Sequence, residues 1–499
     1  MTLADQLERN ARATPAKTAI IFHSDKINYG DLNGIVNQMA HALRDLGVQK
    51  ADRVGLMLPR IPELVMGFLA VAKVQGIAVP VNFELPAERL RCILERISPP
   101  LLIVHSQFLD LVRKSLPVTS AISIIVVGEG DGKCLRWDEV IRQGKTDSPR
   151  LDVKDDDVVY LNYTSGSTGD AKGAITTHAN IHWNTLACVE ALGLTPEDVH
   201  LCMFAPFAHP HEIFARALYL GGTMVLADKI YPKSLAEAIS HHKVSCMMGL
   251  APMYENLLEV LEHKDYDLSS LRIPESGGMY TRLNLIENFK RKAGVSIIPV
   301  WGSTETTGIA IASRPDEPVI PGSVGKPCPF YEVRIVDECG LDLPAGETGE
   351  MIFKGPAVVT GYYEGMQDNQ GCFKDGWYYS GDLARRDRDG NFYFVDRITG
   401  MMKVAGLKVY PLEIELTLID CPGVKEAAVV RVQDRLRGEV PRAIVAAREG
   451  ATITEKDIIH FCKGRLPHYK VPRFIEIREC LPKSGSGKID KKALQMECV

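Results

Sequence analysis

The sequence predicts an α/β fold: a large N-terminal domain of parallel-rich sheets with helices and a β-rich subregion, then a small α+β C-terminal lid domain. Three observations predict it. Helical and strand-like segments alternate through roughly the first 150 residues, the pattern of a mostly parallel sheet covered by helices. From about Gly322 the chain changes to short strands broken by Gly and Pro, which marks a β-rich subregion. The last stretch, of roughly a hundred residues, mixes helices and strands on its own and is large enough for a separate unit. The 499-residue length agrees with this division, since domains average roughly 150 residues.

The elements follow in order. Asp31 to Leu46 has helical spacing, and Arg53 to Leu58 (RVGLML) reads as a strand. Pro62 to Val74 is a helix, Ile77 to Val81 a strand, Pro86 to Arg96 a helix and Leu101 to Val104 a strand. Val158 to Leu161, Gly221 to Ala227, Val244 to Leu250 and Val295 to Val300 are further buried strands. In the last unit Pro411 to Ile419 is helical, with Pro where a helix tolerates it best. Strands Glu426 to Val432 and Ala443 to Ala447, the helix Glu455 to Leu466 and the strand Phe474 to Ile477 complete it. The expected boundaries are 1–396 for the large domain, 397–400 for a hinge and 401–499 for the lid.

Composition excludes several function classes. Lys and Arg total 58 against 63 Asp and Glu, a formal charge of −5. This near balance argues against a nucleic-acid partner, which selects a basic excess. Hydrophobic residues at 45% and charged residues at 24% are ordinary globular values. The N-terminus lacks the unbroken apolar core of a signal peptide. The longest apolar stretch, Val65 to Val81, is interrupted by Lys73 and Gln75, so no integral membrane segment is expected. Twelve cysteines without a CxxC pair fit a reducing compartment, and the expected location is cytoplasmic.

The strongest chemical signal is Tyr163-Thr-Ser-Gly-Ser-Thr-Gly-Asp-Ala-Lys-Gly173, directly after an apolar strand. Its glycines, Gly166 and Gly169 among them, let backbone N–H groups approach an anion. Thr164, Ser165, Ser167 and Thr168 add hydroxyls and Lys172 a cation, which together make a phosphate cradle. The loop is not a Walker A motif, because Ala171 precedes the lysine and Gly173 follows it. A flexible surface loop is the bland alternative. A second signal, Trp301-Gly-Ser-Thr-Glu-Thr-Thr-Gly308, follows a strand and so sits at a sheet's carboxyl edge, where α/β ligands bind.

Asp389-Gly390 is a hairpin turn signal that pairs Arg388 with Asn391. Counting outward sets Asp382 opposite Arg397, about 5 Å apart at Cβ. A plain cross-strand salt bridge would satisfy the same spacing. Pro482-Lys-Ser-Gly-Ser-Gly-Lys-Ile-Asp490 is a glycine-rich turn with Lys488 as its cation; Lys483 and Lys491 read as surface charges. Ala205-Pro-Phe-Ala-His-Pro-His-Glu212 contains a His-x-His pair with no evident third metal ligand.

The motif set, in this order along nearly the whole chain, resembles the adenylate-forming superfamily of acyl-CoA synthetases, adenylation domains and luciferases. The resemblance implies ATP, Mg²⁺ and CoA as cofactors and a small carboxylic acid as substrate. It implies that the Thr164–Lys172 loop holds the β- and γ-phosphates, that Thr304 contacts the α-phosphate and that Glu305 holds Mg²⁺. His209 falls between acid and nucleotide; Gly277, Gly278, Trp301 and Gly302 border adenine and the acid; Asp382 and Arg397 bind ribose. Trp301 stands where the family usually carries Tyr, and Thr399 where it carries Asp or Lys at the domain pivot. Gly406 would let a pantetheine arm pass, and Lys488 would be the catalytic lysine on the α-phosphate. Core packing for Trp301 and an ordinary turn for Gly406 remain competing readings.

The implied reaction joins a carboxylate to ATP as acyl-AMP with release of pyrophosphate, then moves the acyl group to CoA. The substrate is expected to be a fatty or other apolar acid. Leu201 to Ala215 lacks the Asp that amino-acid-activating relatives use, and Met203, Phe207, Ile213, Phe214, Met248 and Met279 are apolar. A ligase loading a separate acyl carrier protein is the nearest alternative. A kinase-like P-loop ATPase, which would release ADP, and a non-catalytic nucleotide sensor are more distant ones. A homodimer is compatible with the sequence.

Overall fold

The structure, a computed structural model, describes residues 1–116, 122–165, 171–364, 366–434, 437–483 and 488–497. Two compact units divide the chain: Met1–Val333 with Phe353–Tyr378, and Arg334–Ile352 with Tyr379–Val499. The segment expected as a hinge, 397–400, lies inside the second unit.

The first unit holds two large sheets. One has seven strands in the order Leu135–Arg136, Ser123–Val127, Leu101–His105, Arg53–Met57, Ile77–Pro80, Val158–Ser165, Ala171–Thr177. All neighbours in it are parallel except the last pair, an antiparallel hairpin. The other has nine strands, with Val199–Cys202, Thr223–Leu226, Cys246–Gly249, Ile273–Ser276 and Ile298–Ser303 parallel at its centre. Both sheets, with helices Tyr29–Asp45, Pro62–Lys73 and Ala215–Leu220, feed one buried core that includes Leu56, Phe68, Ile103, Tyr160, Phe214 and Met224. Sheets covered in this way on apolar faces account for the near-continuous Val/Ile/Leu runs of the sequence.

The alternating elements appear where expected, within a few residues at their ends. Val65 to Val81 resolves into the helix Pro62–Lys73 and the strand Ile77–Pro80. Lys73, which breaks that apolar stretch, is 2% exposed rather than solvated. Its ammonium donates to Glu8, Asn33 and Asn37 at 2.9, 3.0 and 2.7 Å and so anchors the N-terminal helix Leu3–Ala13. Burial lowers its pKa, and the Glu8 carboxylate opposes that shift.

The β-rich subregion forms a five-stranded sheet from Glu332–Val336, Thr348–Lys354, Phe373–Lys374, Trp377–Arg386 and Phe392–Arg397. A further sheet, from Met402–Val404, Leu407–Val409, Val424–Asp434, Gly438–Ala447 and Phe474–Arg478, packs the helices Pro411–Ile419 and Glu455–Lys463 around Ile414, Leu418, Val445, Ile458 and Cys462. Among the described residues no helix is long and apolar enough to cross a membrane, and the cysteines are all free.

Candidate active site

The site residues divide between the units, and each group is described by itself. In the first unit the Gly/Ser/Thr segment joins Val158–Ser165 to Ala171–Thr177 in a hairpin that pairs Thr164 with Lys172 and Tyr163 with Gly173. Sequence reading found the first strand and missed the second. Thr164 and Ser165 lie on the first strand; Gly166, Ser167, Thr168 and Gly169 lie outside the described residues. Lys172 is half-buried, with its ammonium 5.7 Å from the centre of the Tyr362 ring.

The second motif is also a hairpin, Ile298–Ser303 with Gly308–Ala312, and its turn carries Thr304 and Glu305. Both are buried, at 7% and 8% exposure. Thr307 adopts φ +57° and Gly308 φ +123°, conformations that cost L-residues free energy and persist only when neighbours enforce them. The neighbours are on hand. Tyr331 donates its hydroxyl to the Thr306 carbonyl at 2.6 Å, and the Thr307 hydroxyl donates to the Ala357 carbonyl at 2.7 Å. The Val359 N–H donates to the Glu305 carbonyl at 2.9 Å, and the Tyr362 hydroxyl to Glu305 Oε1 at 2.6 Å. Gly302 is required by the close strands: a Cβ there would lie 2.4 Å from the Gly308 carbonyl oxygen.

Trp301 is 8% exposed and stacks on Phe353 with centroids 4.4 Å apart and planes within 1°. One indole face is therefore filled by the protein. Gly277 sits where a Cβ would meet Val300 at 2.9 Å and Met248 at 3.1 Å, while Gly278 turns the chain at φ +71°. Of the residues expected around an apolar acid, Ile213 and Phe214 belong to the main core and Met203 to the neighbouring one. Phe207, Met248 and Met279 are half-buried, and Phe207 packs edge-on to Phe83.

His209 is half-buried at the start of the short 3-10 helix Pro210–Ile213. His211 has a distinct place. It is 1% exposed, its Nε2 lies 2.8 Å from the Thr307 carbonyl and its Nδ1 2.7 Å from the Tyr160 hydroxyl. A carbonyl only accepts, so Nε2 carries the proton and Tyr160 donates to Nδ1. Burial, then His209, pushes the imidazole down to about 3. With both nitrogens occupied, His211 has none to offer a His-x-His metal site. Nearby, Arg216 forms a buried pair with Glu275 at 2.7 Å, and burial raises the Glu212 carboxyl to about 7 against the pull of Arg216. Tyr160, Tyr331 and Tyr362 escaped sequence reading, as did the partners of His211; buried polar ties between distant segments leave no local spacing to read.

In the second unit Asp382 lies opposite Arg397, as counted. The route differs. Asp387 accepts N–H groups from Asp389 and Asn391, which makes a wider turn than Asp389-Gly390 alone, so Arg386 pairs with Phe392. A bulge between Leu383 and Ala384 then restores the register. Asp382 is 2% exposed and pairs with Arg397 Nε at 2.5 Å. Asp396 accepts from the backbone N–H of Arg397 and Leu412, at 2.7 and 2.8 Å, and the Thr399 carbonyl accepts from Arg431 at 2.7 Å.

Gly406 turns the hairpin Met402–Val404/Leu407–Val409 at φ +85°, with nothing within 4 Å of a Cβ added there. The turn alone demands it. Lys488 is exposed by overall surface area, yet the protein around its ammonium desolvates it. That desolvation, and then Arg397, lowers its pKa, with Asp382 acting in the opposite sense. Ser484 to Gly487 lie outside the described residues. Lys483 and Lys491 are not plain solvated charges: each pairs at 2.7 Å, with Glu426 and with the buried Glu415.

The AMP-binding enzyme family matches residues 7–363 and the AMP-binding enzyme C-terminal domain matches residues 413–488; the chain belongs to this family. A feruloyl-CoA synthase of Amycolatopsis is 32% identical over 489 residues, covering 97% of this chain and 96% of that protein. Among solved structures, the anthranilate CoA ligase AuaEII in complex with anthranoyl-AMP superposes with a TM-score of 0.92 at 30% identity, covering 100% of this chain and 97% of the other. ATP-bound MatB from Rhodopseudomonas palustris gives 0.91 at 26% identity, covering 100% and 99%.

Proposed function

We propose that this chain is an ATP-dependent acid–CoA ligase whose substrate is a compact apolar acid, aryl in preference to long alkyl. In the first half-reaction a carboxylate oxygen attacks the α-phosphorus of ATP, the bond to the bridging oxygen breaks, and pyrophosphate leaves with the electron pair. In the second, the sulfur of CoA attacks the acyl carbon, AMP leaves with the C–O electrons, and the thiol proton passes to solvent.

The observation that carries the site assignment is the buried Glu305 carboxylate, fixed by Tyr362 on a turn that also presents Thr304. A lone oriented carboxylate fits Mg²⁺, which takes one or two carboxylates and completes its shell with phosphate oxygens and water. Glu305 would hold it, and when bound it neutralises phosphate charge. Thr304 then contacts the α-phosphate and Lys172 the leaving pyrophosphate. Lys488 supplies positive charge to the equatorial oxygens in the transition state, a contact that commonly contributes about 3 kcal/mol. His209 borders acid and nucleotide, Asp382 and Arg397 take the ribose, and Gly406 borders the CoA arm. The preference for an aryl acid rests on half-buried Phe207, Met248 and Met279 and on relatives named for ferulate and anthranilate.

A panel of aryl and alkyl acids scored for pyrophosphate release, with and without CoA, tests this. AMP and pyrophosphate should form only with acid present, fastest with aryl acids. Release of ADP would overturn the reaction, and faster turnover of long alkyl acids would overturn the substrate class.

A further inference from the structure

The segment Ala357 to Tyr363 belongs to none of the motifs read from the sequence, yet it touches both halves of the phosphate site in the first unit. Tyr363 N–H donates to the Gly173 carbonyl at 2.8 Å and Ile175 N–H to the Gly361 carbonyl at 3.0 Å, so the segment lies along the lysine-bearing hairpin like an added strand. The Val359 N–H and the Ala357 carbonyl tie the same segment to Glu305 and Thr307. Tyr362, 6% exposed, stands at the junction. Its hydroxyl donates to Glu305 Oε1 at 2.6 Å and its ring lies 5.7 Å from the Lys172 ammonium.

The ring itself has little freedom. Phe373 meets it edge-on at 5.7 Å, and Ala174 and Val359 pack with it. The Asn369 side chain accepts the Tyr362 N–H at 2.7 Å and donates to its carbonyl at 3.2 Å. A tyrosine held this firmly fixes whatever its hydroxyl grips. A phenol on one carboxylate oxygen occupies a single lone pair and leaves Oε2 for a cation. Partners of this kind tune metal affinity by orienting the ligand.

We propose that Tyr362 is a positioning residue for adenylation: its hydroxyl sets the Glu305 carboxylate toward the cation that accompanies ATP, and its ring keeps Lys172 in register with that carboxylate. The proposal rests on the reading of Glu305 as the cation's ligand.

Tyr362→Phe removes the hydroxyl and keeps the ring. Mn²⁺ affinity, read by electron paramagnetic resonance in the presence of α,β-methylene ATP, should fall roughly tenfold or more. The KM for Mg·ATP in pyrophosphate exchange should rise with it, while thioester formation from supplied acyl-adenylate stays at the wild-type rate. Tyr362→Phe added to Glu305→Gln should cause no further loss, because the hydroxyl acts through the carboxylate. Unchanged Mn²⁺ affinity, an equal loss in the Glu305→Gln background, or equal loss of both half-reactions would overturn it. Absence of pyrophosphate exchange in the wild-type protein would instead overturn the underlying reading of the enzyme.

Discussion

Lys488 carries the sharpest prediction of any single residue. Lys488→Ala should lower pyrophosphate exchange by about two orders of magnitude, the usual effect of losing one preorganised charge. Thioester formation from supplied acyl-adenylate should survive, and a comparison of the two half-reactions checks it. Its pKa lies below the ordinary lysine range because of desolvation and then Arg397. Its cation is therefore lost at lower pH than an ordinary lysine's, and adenylation should decline as pH rises through that lowered value. Lys488→Arg, always charged, should flatten this alkaline decline even where its geometry slows the maximum rate.

Residue identity also explains what was legible. Lys172, Thr304, Glu305 and Lys488 stand out in the sequence as candidates because charged or hydroxyl residues beside glycines are rarely assembled for packing alone. Lys73 shows the opposite. Its charge within an apolar helix suggests solvent, yet three oxygen atoms from other segments receive it inside the protein. No pattern local to Lys73 announces Glu8, Asn33 and Asn37.

Among the elements, the turn from Ser303 to Gly308 is where sequence and shape are most tightly bound. Gly308→Ala would place a methyl 2.7 Å from Glu212 Oε1 and 2.9 Å from Asn184 Oδ1, at φ +123°. Strain of this kind costs of order 1–3 kcal/mol. The variant should melt several degrees lower in a thermal scan and show a raised KM for ATP as Glu305 shifts. The hairpin from Trp377 to Arg397 gives the complementary lesson. Period-two counting set Asp382 opposite Arg397, but only because the wider turn built on Asp387 and the bulge after Leu383 cancel one another. Turn type was misread, since Asp387 as an acceptor for two backbone donors outweighs the local Asp-Gly preference. The strand Ala171–Thr177 was missed for a related reason: its Ala, Gly and Thr residues lack the apolar alternation that marks a strand.

Across the whole molecule the α/β alternation was readable because buried parallel strands and covering helices leave strong, repeated apolar signals. The division into units was less so. Arg334–Ile352 joins the unit that contains the C-terminus, and such long-range grouping has no marker in the segment itself. Stability should also carry a global signature of pH. His178 is 2% exposed, accepts the Leu3 N–H at Nδ1 and is pushed down to about 4 by burial. Between pH 4 and 6.5 the unfolded chain binds a proton at this site that the folded chain refuses. Its contribution is thus intact above pH 6.5 and is lost as pH falls toward 4. His178→Gln should reduce the slope of unfolding free energy in that window by up to about 1.4 kcal/mol per pH unit, as measured by urea midpoints at several pH values.

The pairing of Trp301 with Phe353 has an optical consequence. An indole packed against a phenyl ring and almost sealed from water emits toward the blue, and a purine brought into contact with it would quench that light. Excitation of the tryptophans during an ATP titration, repeated on Trp301→Phe as the silent control, would turn this one side chain into a built-in gauge of nucleotide occupancy.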